Sequence, residues 1–173
     1  RPELVTLPPI MGPDGKKKLS KRDGAKDILE YGKDGYLKEA ILNFLALLGW
    51  NPGDDREIFN LQELIEVFEI SKIGHSCAQL NDNKLDWINK QHIKRLSHEE
   101  LEKNIFANLP LELHIPKIVP LVGERISKWS DIKILVEGGE FDFFYKRPEY
   151  EKDKLVFKNS TLEKTKENIG RAI

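Results

Sequence analysis

Tyr36-Leu37-Lys38-Glu39-Ala40-Ile41-Leu42-Asn43-Phe44-Leu45-Ala46-Leu47-Leu48-Gly49 is the stretch that decides the fold class. Leu37, Ala40, Ile41, Phe44, Leu45 and Leu48 recur at i, i+3, i+4, i+7, i+8 and i+11. That is one face of an α-helix, not the period-2 alternation of a half-buried strand. Leu42, Ala46 and Leu47 widen the arc, so the spacing predicts the most buried helix of the chain, with Gly49 placed to end it.

The same period continues downstream. After the turn residues Asn51-Pro52-Gly53-Asp54-Asp55, Asn60 precedes Leu61 with Glu63 three residues on, an N-cap with a capping-box partner. Leu61, Leu64, Ile65 and Phe68 are expected to point inward from that helix. Asn81-Asp82-Asn83 opens a third helix with two arcs: Leu85, Ile88, Asn89, His92, Ile93 and Leu96 on one, Lys84, Trp87, Lys90, Gln91, Lys94 and Arg95 on the other. Such a helix docks on a core and still presents cations outward. Trp87 either stacks on a sugar or base or, the reading preferred here, packs under a neighbouring element. Ser97-His98-Glu99-Glu100 is a further capping box, with Leu101, Ile105 and Leu109 inward. Helical stretches are expected over 116–125 and 131–136, and weakly over 161–172. The chain is therefore mainly α.

Upstream of Tyr36 the pattern is different. Leu4-Val5-Thr6-Leu7 reads as a short strand stopped by Pro8-Pro9, which cannot donate to a ladder. Gly12-Pro13-Asp14-Gly15 is dense in turn residues and leads into the basic run Lys16-Lys17-Lys18-Leu19-Ser20-Lys21-Arg22, read as a mobile, unburied loop.

The 173 residues are 39% hydrophobic and 33% charged, a composition of soluble, charge-rich proteins. Apolar runs such as Phe44 to Leu48 are too short to cross a bilayer, so no membrane partner is expected. The single cysteine, Cys77, excludes an internal disulfide framework and a cysteine-rich zinc site, and suits a reducing cytoplasm. Cys77 is expected to be a small buried residue, and His92 a core histidine. His75 has no partner at metal-ligand spacing. The opening Arg1-Pro2-Glu3 carries no initiator Met, so the chain is expected to be a piece of a longer one.

The net charge of −1 conceals three basic islands in an acidic chain. Residues 1–27 carry a net +3, 28–83 carry −6, 84–95 carry +3, 96–145 carry −4 and 146–173 carry +3. A polyanion that touches the islands alone avoids most of the like charge.

Lys18-Leu19-Ser20-Lys21-Arg22, following a Gly-Pro-Asp-Gly turn, resembles the lysine signature loop of class I aminoacyl-tRNA synthetases. The flanking stretch Gly12 to Ala25 resembles that loop in glutamyl-tRNA synthetases. So do Gly35-Tyr36-Leu37 through Gly49-Trp50-Asn51-Pro52-Gly53, and Lys84-Leu85-Asp86-Trp87-Ile88-Asn89. Phe143-Phe144-Tyr145-Lys146-Arg147-Pro148-Glu149-Tyr150 resembles a segment of the helical domain of the bacterial type. These motifs follow one another in order over roughly 4–150.

The resemblance implies three parts: the end of a class I catalytic domain (1–27, a short strand plus the lysine loop), a helical stem-contact domain (28–96), and the first part of an α-helical anticodon-binding bundle (97–173). It implies ATP-dependent attachment of glutamate to tRNA(Glu) through glutamyl-adenylate, with Mg²⁺ accompanying ATP and no structural zinc in this segment. Expulsion of pyrophosphate builds negative charge on the leaving group, and mobile ammonium groups closing over it stabilise that charge most in the transition state. Lys21 takes the principal phosphate contact in this reading and Lys18 assists. Ser20 and Leu19 complete the loop, Ser20 holding it or donating to a phosphate, and Arg22 does either. Lys84, Lys90, Lys94 and Arg95, with Trp87 as a further candidate, form the tRNA-docking face.

The family's other ATP signature, His-x-Gly-His, does not occur. Ile73-Gly74-His75-Ser76 resembles it superficially and lies on the wrong side of the lysine loop. Thr6 stands where a His is expected before Leu-Pro, and Asp23 replaces a frequent His. The chain alone is therefore expected not to activate glutamate, and to meet ATP and glutamate through a further catalytic half. A monomer is expected. Two alternatives stand beside this reading: a stand-alone RNA-binding helical module without ligase chemistry, and the glutaminyl-specific relative. The helical period after Ser97 argues against the β-barrel anticodon region of the second.

Overall fold

The computed structural model describes residues 4–20, 22, 25–146, 156 and 160–172. The described chain is helical: α1 (Ile28–Lys33), α2 (Lys38–Leu47), α3 (Leu61–Val67), α4 (Asp82–Lys94), α5 (His98–Asn108), α6 (Ile118–Arg125), α7 (Ser130–Glu137) and α8 (Leu162–Ala172), with one-turn 3₁₀ segments between some of them. Sheet pairing among the described residues is confined to isolated bridges.

The capping residues do locally what their chemistry predicts. Asn60 and Ser97 both accept from the N3 backbone, and Glu63 and Glu100 both reach back to the cap. Asn81 caps α4 by accepting from Lys84 N. Helix α1, which apolar spacing did not announce, begins with a capping box of its own between Asp27 and Glu30. It buries no side chain, which is why hydrophobic periodicity missed it.

Helix α4 is the axis of the fold. Leu85 and Ile88 join Ala40 and Phe44 of α2 in one core cluster, with Tyr36, Leu47 and Leu80 packed around it. One turn further on, Ile93 enters a second cluster with Ile105 of α5, Val119 and Val122 of α6, Ile132 of α7 and Phe141. Leu37 packs against both clusters. Each fully buried Leu, Ile, Val or Phe side chain of these clusters contributes on the order of 1.5–3 kcal/mol. A third, smaller cluster holds Trp50, Phe59 and Leu64.

Buried polar side chains tie these layers together. Asn43 of α2 donates through Nδ2 to Glu57 O (3.0 Å) and accepts at Oδ1 from Phe59 N (2.9 Å). His92 Nε2 lies 3.0 Å from the same oxygen. Since Oδ1 can only accept, Nε2 must carry the proton. Asn89 accepts from Leu37 N at 2.8 Å and donates to Ser127 O. Beside it, Tyr36 donates to Asp86, Lys128 Nζ lies 3.1 Å from Asp86 and 3.7 Å from Asp131, and Trp129 N donates to Gly35 O at 3.0 Å. Gly35 has φ +90°, and a Cβ there lies 2.8 Å from the Trp129 and Ser130 nitrogens. A side chain at 35 would push α7 away.

The structure corrects several expectations. Leu4-Val5-Thr6-Leu7 forms no strand; Leu4 is 92% exposed. No strand lies alongside it among the described residues, and Pro8-Pro9 offer no N–H to start a ladder. Helix α2 is not the most buried element: it buries Ala40, Asn43 and Phe44, while α4 buries Leu85, Ile88, Asn89, His92 and Ile93. Leu42 and Leu45 of α2 are exposed, as are Leu61, Ile65 and Phe68 around α3. Cys77 is exposed as well, because it lies in a loop rather than on a helix face.

Candidate functional site

The lysine loop is a short hairpin held from both sides. Gly12 N donates to Lys17 O (2.8 Å), Leu19 N to Ile10 O (2.8 Å) and Gly15 N to Gly12 O (2.9 Å). Asp14 Oδ1 accepts from the backbone of Lys16 (3.0 Å) and Lys17 (3.3 Å), the self-bonding that makes Asp a turn former. Gly15 supplies the left-handed residue at φ +65°. On the far side, Met11 N donates to Ala78 O at 2.8 Å and Leu80 N to Met11 O at 2.9 Å.

This geometry puts Lys16, Lys17 and Lys18 at the surface. Lys18 sits in an antiparallel bridge opposite Met11, and Leu19 and Ser20 are half-buried behind it. Ser20 O accepts from Ala25 N at 3.1 Å. Arg22 is exposed. Lys21, like Asp23 and Gly24, lies outside the described residues.

The second candidate surface, the outer arc of α4, divides in two. Lys84 is ion-paired with Glu57. Arg95 reaches Glu63 at 3.6 Å and the Ile58 carbonyl at 3.5 Å. Both clamp α4 to the segment leading into α3. Lys94 is exposed and Lys90 half-buried, and neither has an ion pair among the described residues. Trp87 lies on the same arc with 43% of its surface exposed, so the expectation that it packs under a neighbour is not met among the described residues.

Two titrating groups lie beneath these surfaces. Burial, then the nearby Arg95 charge, holds the His92 imidazole below its ordinary range. Burial and the bond to Asp86 push the Tyr36 phenol above its own. The inner arc of α4 was legible from spacing. The contacts of Tyr36, Asp86 and Gln79 with residues far along the chain were not, since nothing in the local pattern marks them. The Asp27-x-x-Glu30 capping box is the local signal that marks the start of α1.

An open apolar groove of about 680 Å³ runs beside the hairpin, lined by Leu7, Leu42, Leu45, Leu61, Ile65 and Phe68 among others. Trp50 also borders it, and its buried Nε1 has no hydrogen-bond partner among the described residues. Also among the described residues, no group of three or more His, Cys, Asp or Glu side chains gathers in metal-binding range, and no helix is long and apolar enough to cross a membrane.

Residues 4–87 match the family model described as tRNA synthetases class I (E and Q), catalytic domain. Similar curated proteins include glutamate–tRNA ligase 2 of Halorhodospira halophila, 38% identical over 160 residues, covering 91% of this chain and 34% of that protein. Glutamate–tRNA ligase of Clostridium botulinum is 38% identical over 178 residues, covering 99% of this chain and 36% of that protein. Among solved structures, a glutamate tRNA ligase from Elizabethkingia meningosepticum in complex with its amino acid superposes with a TM-score of 0.66 at 32% identity, over 92% of this chain and 34% of the other. Glutamate-tRNA synthetase from Elizabethkingia anophelis gives a TM-score of 0.69 at 26% identity, over 100% and 42%. The chain spans about a third of the length of the curated relatives it matches.

Proposed function

We infer that this chain, related to the class I tRNA synthetases (E and Q) through residues 4–87, is part of a glutamate–tRNA ligase. Its share of the reaction is a phosphate-stabilising loop and a tRNA-docking surface. The observation that carries this is the exposed lysine hairpin at 16–18, tied by its backbone to 78–80 inside the matched stretch.

In the reaction, a glutamate carboxylate oxygen attacks the α-phosphate of ATP and pyrophosphate leaves with the bond's electrons. Lys18 and Lys21 place ammonium charges where that negative charge accumulates. Lysine suits the task because a compact charge on a flexible stem follows the leaving group. Ser20 and Arg22 hold the loop or contact a phosphate, and Leu19, half-buried, anchors it. Mg²⁺ enters with ATP. Glutamyl transfer then needs tRNA(Glu) held in place; Lys90 and Lys94 are assigned to its backbone, with Trp87 beside them. Lys84 and Arg95 serve there as well, in exchange for their carboxylate partners. The division into 1–27, 28–96 and 97–173 belongs to the same reading, as do a cytoplasmic monomer and a chain inactive without its catalytic partner half.

In the complete ligase, Lys21→Ala is expected to slow ATP–pyrophosphate exchange at least about tenfold, a loss of about 1.4 kcal/mol of transition-state stabilisation, with little change in thermal unfolding. An unchanged exchange rate refutes the loop's role. Replacing Lys90, Lys94 and Arg95 together should weaken tRNA binding and flatten its dependence on salt.

A further inference from the structure

We propose that Gln79 is a positioning residue for the lysine hairpin, a latch that fixes where Lys18 meets a phosphate; the inference rests on the role proposed above for that hairpin. Met11 stands between two partners, in an antiparallel bridge to Lys18 on one side and a parallel bridge to Gln79 on the other. Its N–H donates to Ala78 O and its carbonyl accepts from Leu80 N. The backbone of 78–80 therefore sets Met11, and Met11 sets the backbone of Lys18.

The Gln79 side chain adds a second hold at the hairpin tip, where its Nε2 donates to the Pro13 carbonyl. Gly15 lies over the same amide: a Cβ built at Gly15 comes 3.5 Å from Gln79 Cδ and Oε1. The turn thus rests on the Gln79 amide plane, and Gly15 at φ +65° is the residue that lets it do so.

The foot of the latch is rigid. Leu80 packs against the α2–α4 core cluster, and Asn81 caps α4 immediately afterwards. A hairpin tip bearing three exposed lysines repels itself, and ordering it anew at each catalytic cycle costs conformational entropy. A donor fixed to the core removes part of that cost before ATP arrives, which is preorganisation of the cations.

The test is ATP–pyrophosphate exchange in the complete ligase for wild type, Gln79→Met, Lys18→Ala and the double variant, with melting temperatures for each. Methionine keeps the length of the side chain and cannot donate. Gln79→Met is expected to lower kcat/KM for ATP about threefold to tenfold, the scale of one hydrogen bond, at an unchanged melting temperature. The double variant should be no worse than Lys18→Ala, because the latch acts through that lysine. Lys18→Ala at the wild-type rate removes Lys18 from the phosphate site and overturns the latch with it, while the exchange rate of Lys21→Ala decides the hairpin reading separately. An impaired Lys18→Ala with Gln79→Met at the wild-type rate, or with the two losses multiplying in the double variant, leaves the hairpin reading intact and overturns the latch. Should Gln79→Met lower the melting temperature, Gln79→His decides: it restores a donor without adding a fourth lysine charge to the tip, and recovery of exchange supports the latch while continued loss overturns it.

Discussion

Helices α3 and α5 start with the same device and meet different surroundings. Each has a polar N-cap and a glutamate three residues on that closes a capping box, and each carries apolar residues at helical spacing. In α5 the stripe is covered: Ile105 is 0% exposed, and Leu109 is buried with it in the large cluster. In α3 only Leu64 is buried; Ile65 is 63% exposed and looks into the open groove. An amphipathic pattern states which face is apolar. It does not state what lies against that face.

The widest separation between the two helices should appear on truncation. Ile105→Ala is expected to cost about 2–5 kcal/mol, the price of a cavity in a closed core. Ile65→Ala should stay within about 0.5 kcal/mol, as surface changes do. Urea unfolding of both variants measures the gap, and equal losses would erase the distinction.

Acid should separate the helices next. The folded state holds His92 below the ordinary imidazole range, so below that range the unfolded chain binds more protons than the folded one. Stability is full above the ordinary range and declines as the pH falls through it toward the lower folded value. Because Phe59 N and His92 share Asn43 Oδ1, the loosening should reach the segment entering α3 before it reaches α5. Amide exchange followed from neutral pH downward tests this; faster exchange at α5 first would contradict it. His92→Asn should flatten the dependence.

The caps should show the least difference. Asn60→Ala and Ser97→Ala are each expected to cost about 0.5–2 kcal/mol, since the same backbone groups lose the same acceptor. Thermal unfolding of the pair sharpens the comparison. A large inequality would mean that the caps work through tertiary contacts rather than locally.

Much of the fold was readable because its signals are short-range. The inner arc of α4, with Leu85, Ile88, Asn89, His92 and Ile93 buried together, follows from 100° per residue and from nothing else. The candidate site was legible in part: the turn-forming Gly-Pro-Asp-Gly and the lysines after it announce a hairpin with cations at its tip. The engagement of Lys84 with Glu57 and of Arg95 with Glu63 was hidden, because the outer arc gives only the direction of a side chain and the partners come from α3 and the loop that leads into it.

The amino-acid sequence by itself determined helix positions, caps and the identity of the apolar and basic faces, all of which depend on neighbours within one or two turns. Only the tertiary structure decided that Met11 lies between Lys18 and Gln79, that Tyr36 and Lys128 meet at Asp86, and that the stripe of α5 is covered while much of the α3 face stays open. The pairings of Met11 with Gln79, Tyr36 with Asp86, and Asp86 with Lys128 each join residues tens of positions apart. They exist because packing selects one arrangement from many that the same local preferences allow.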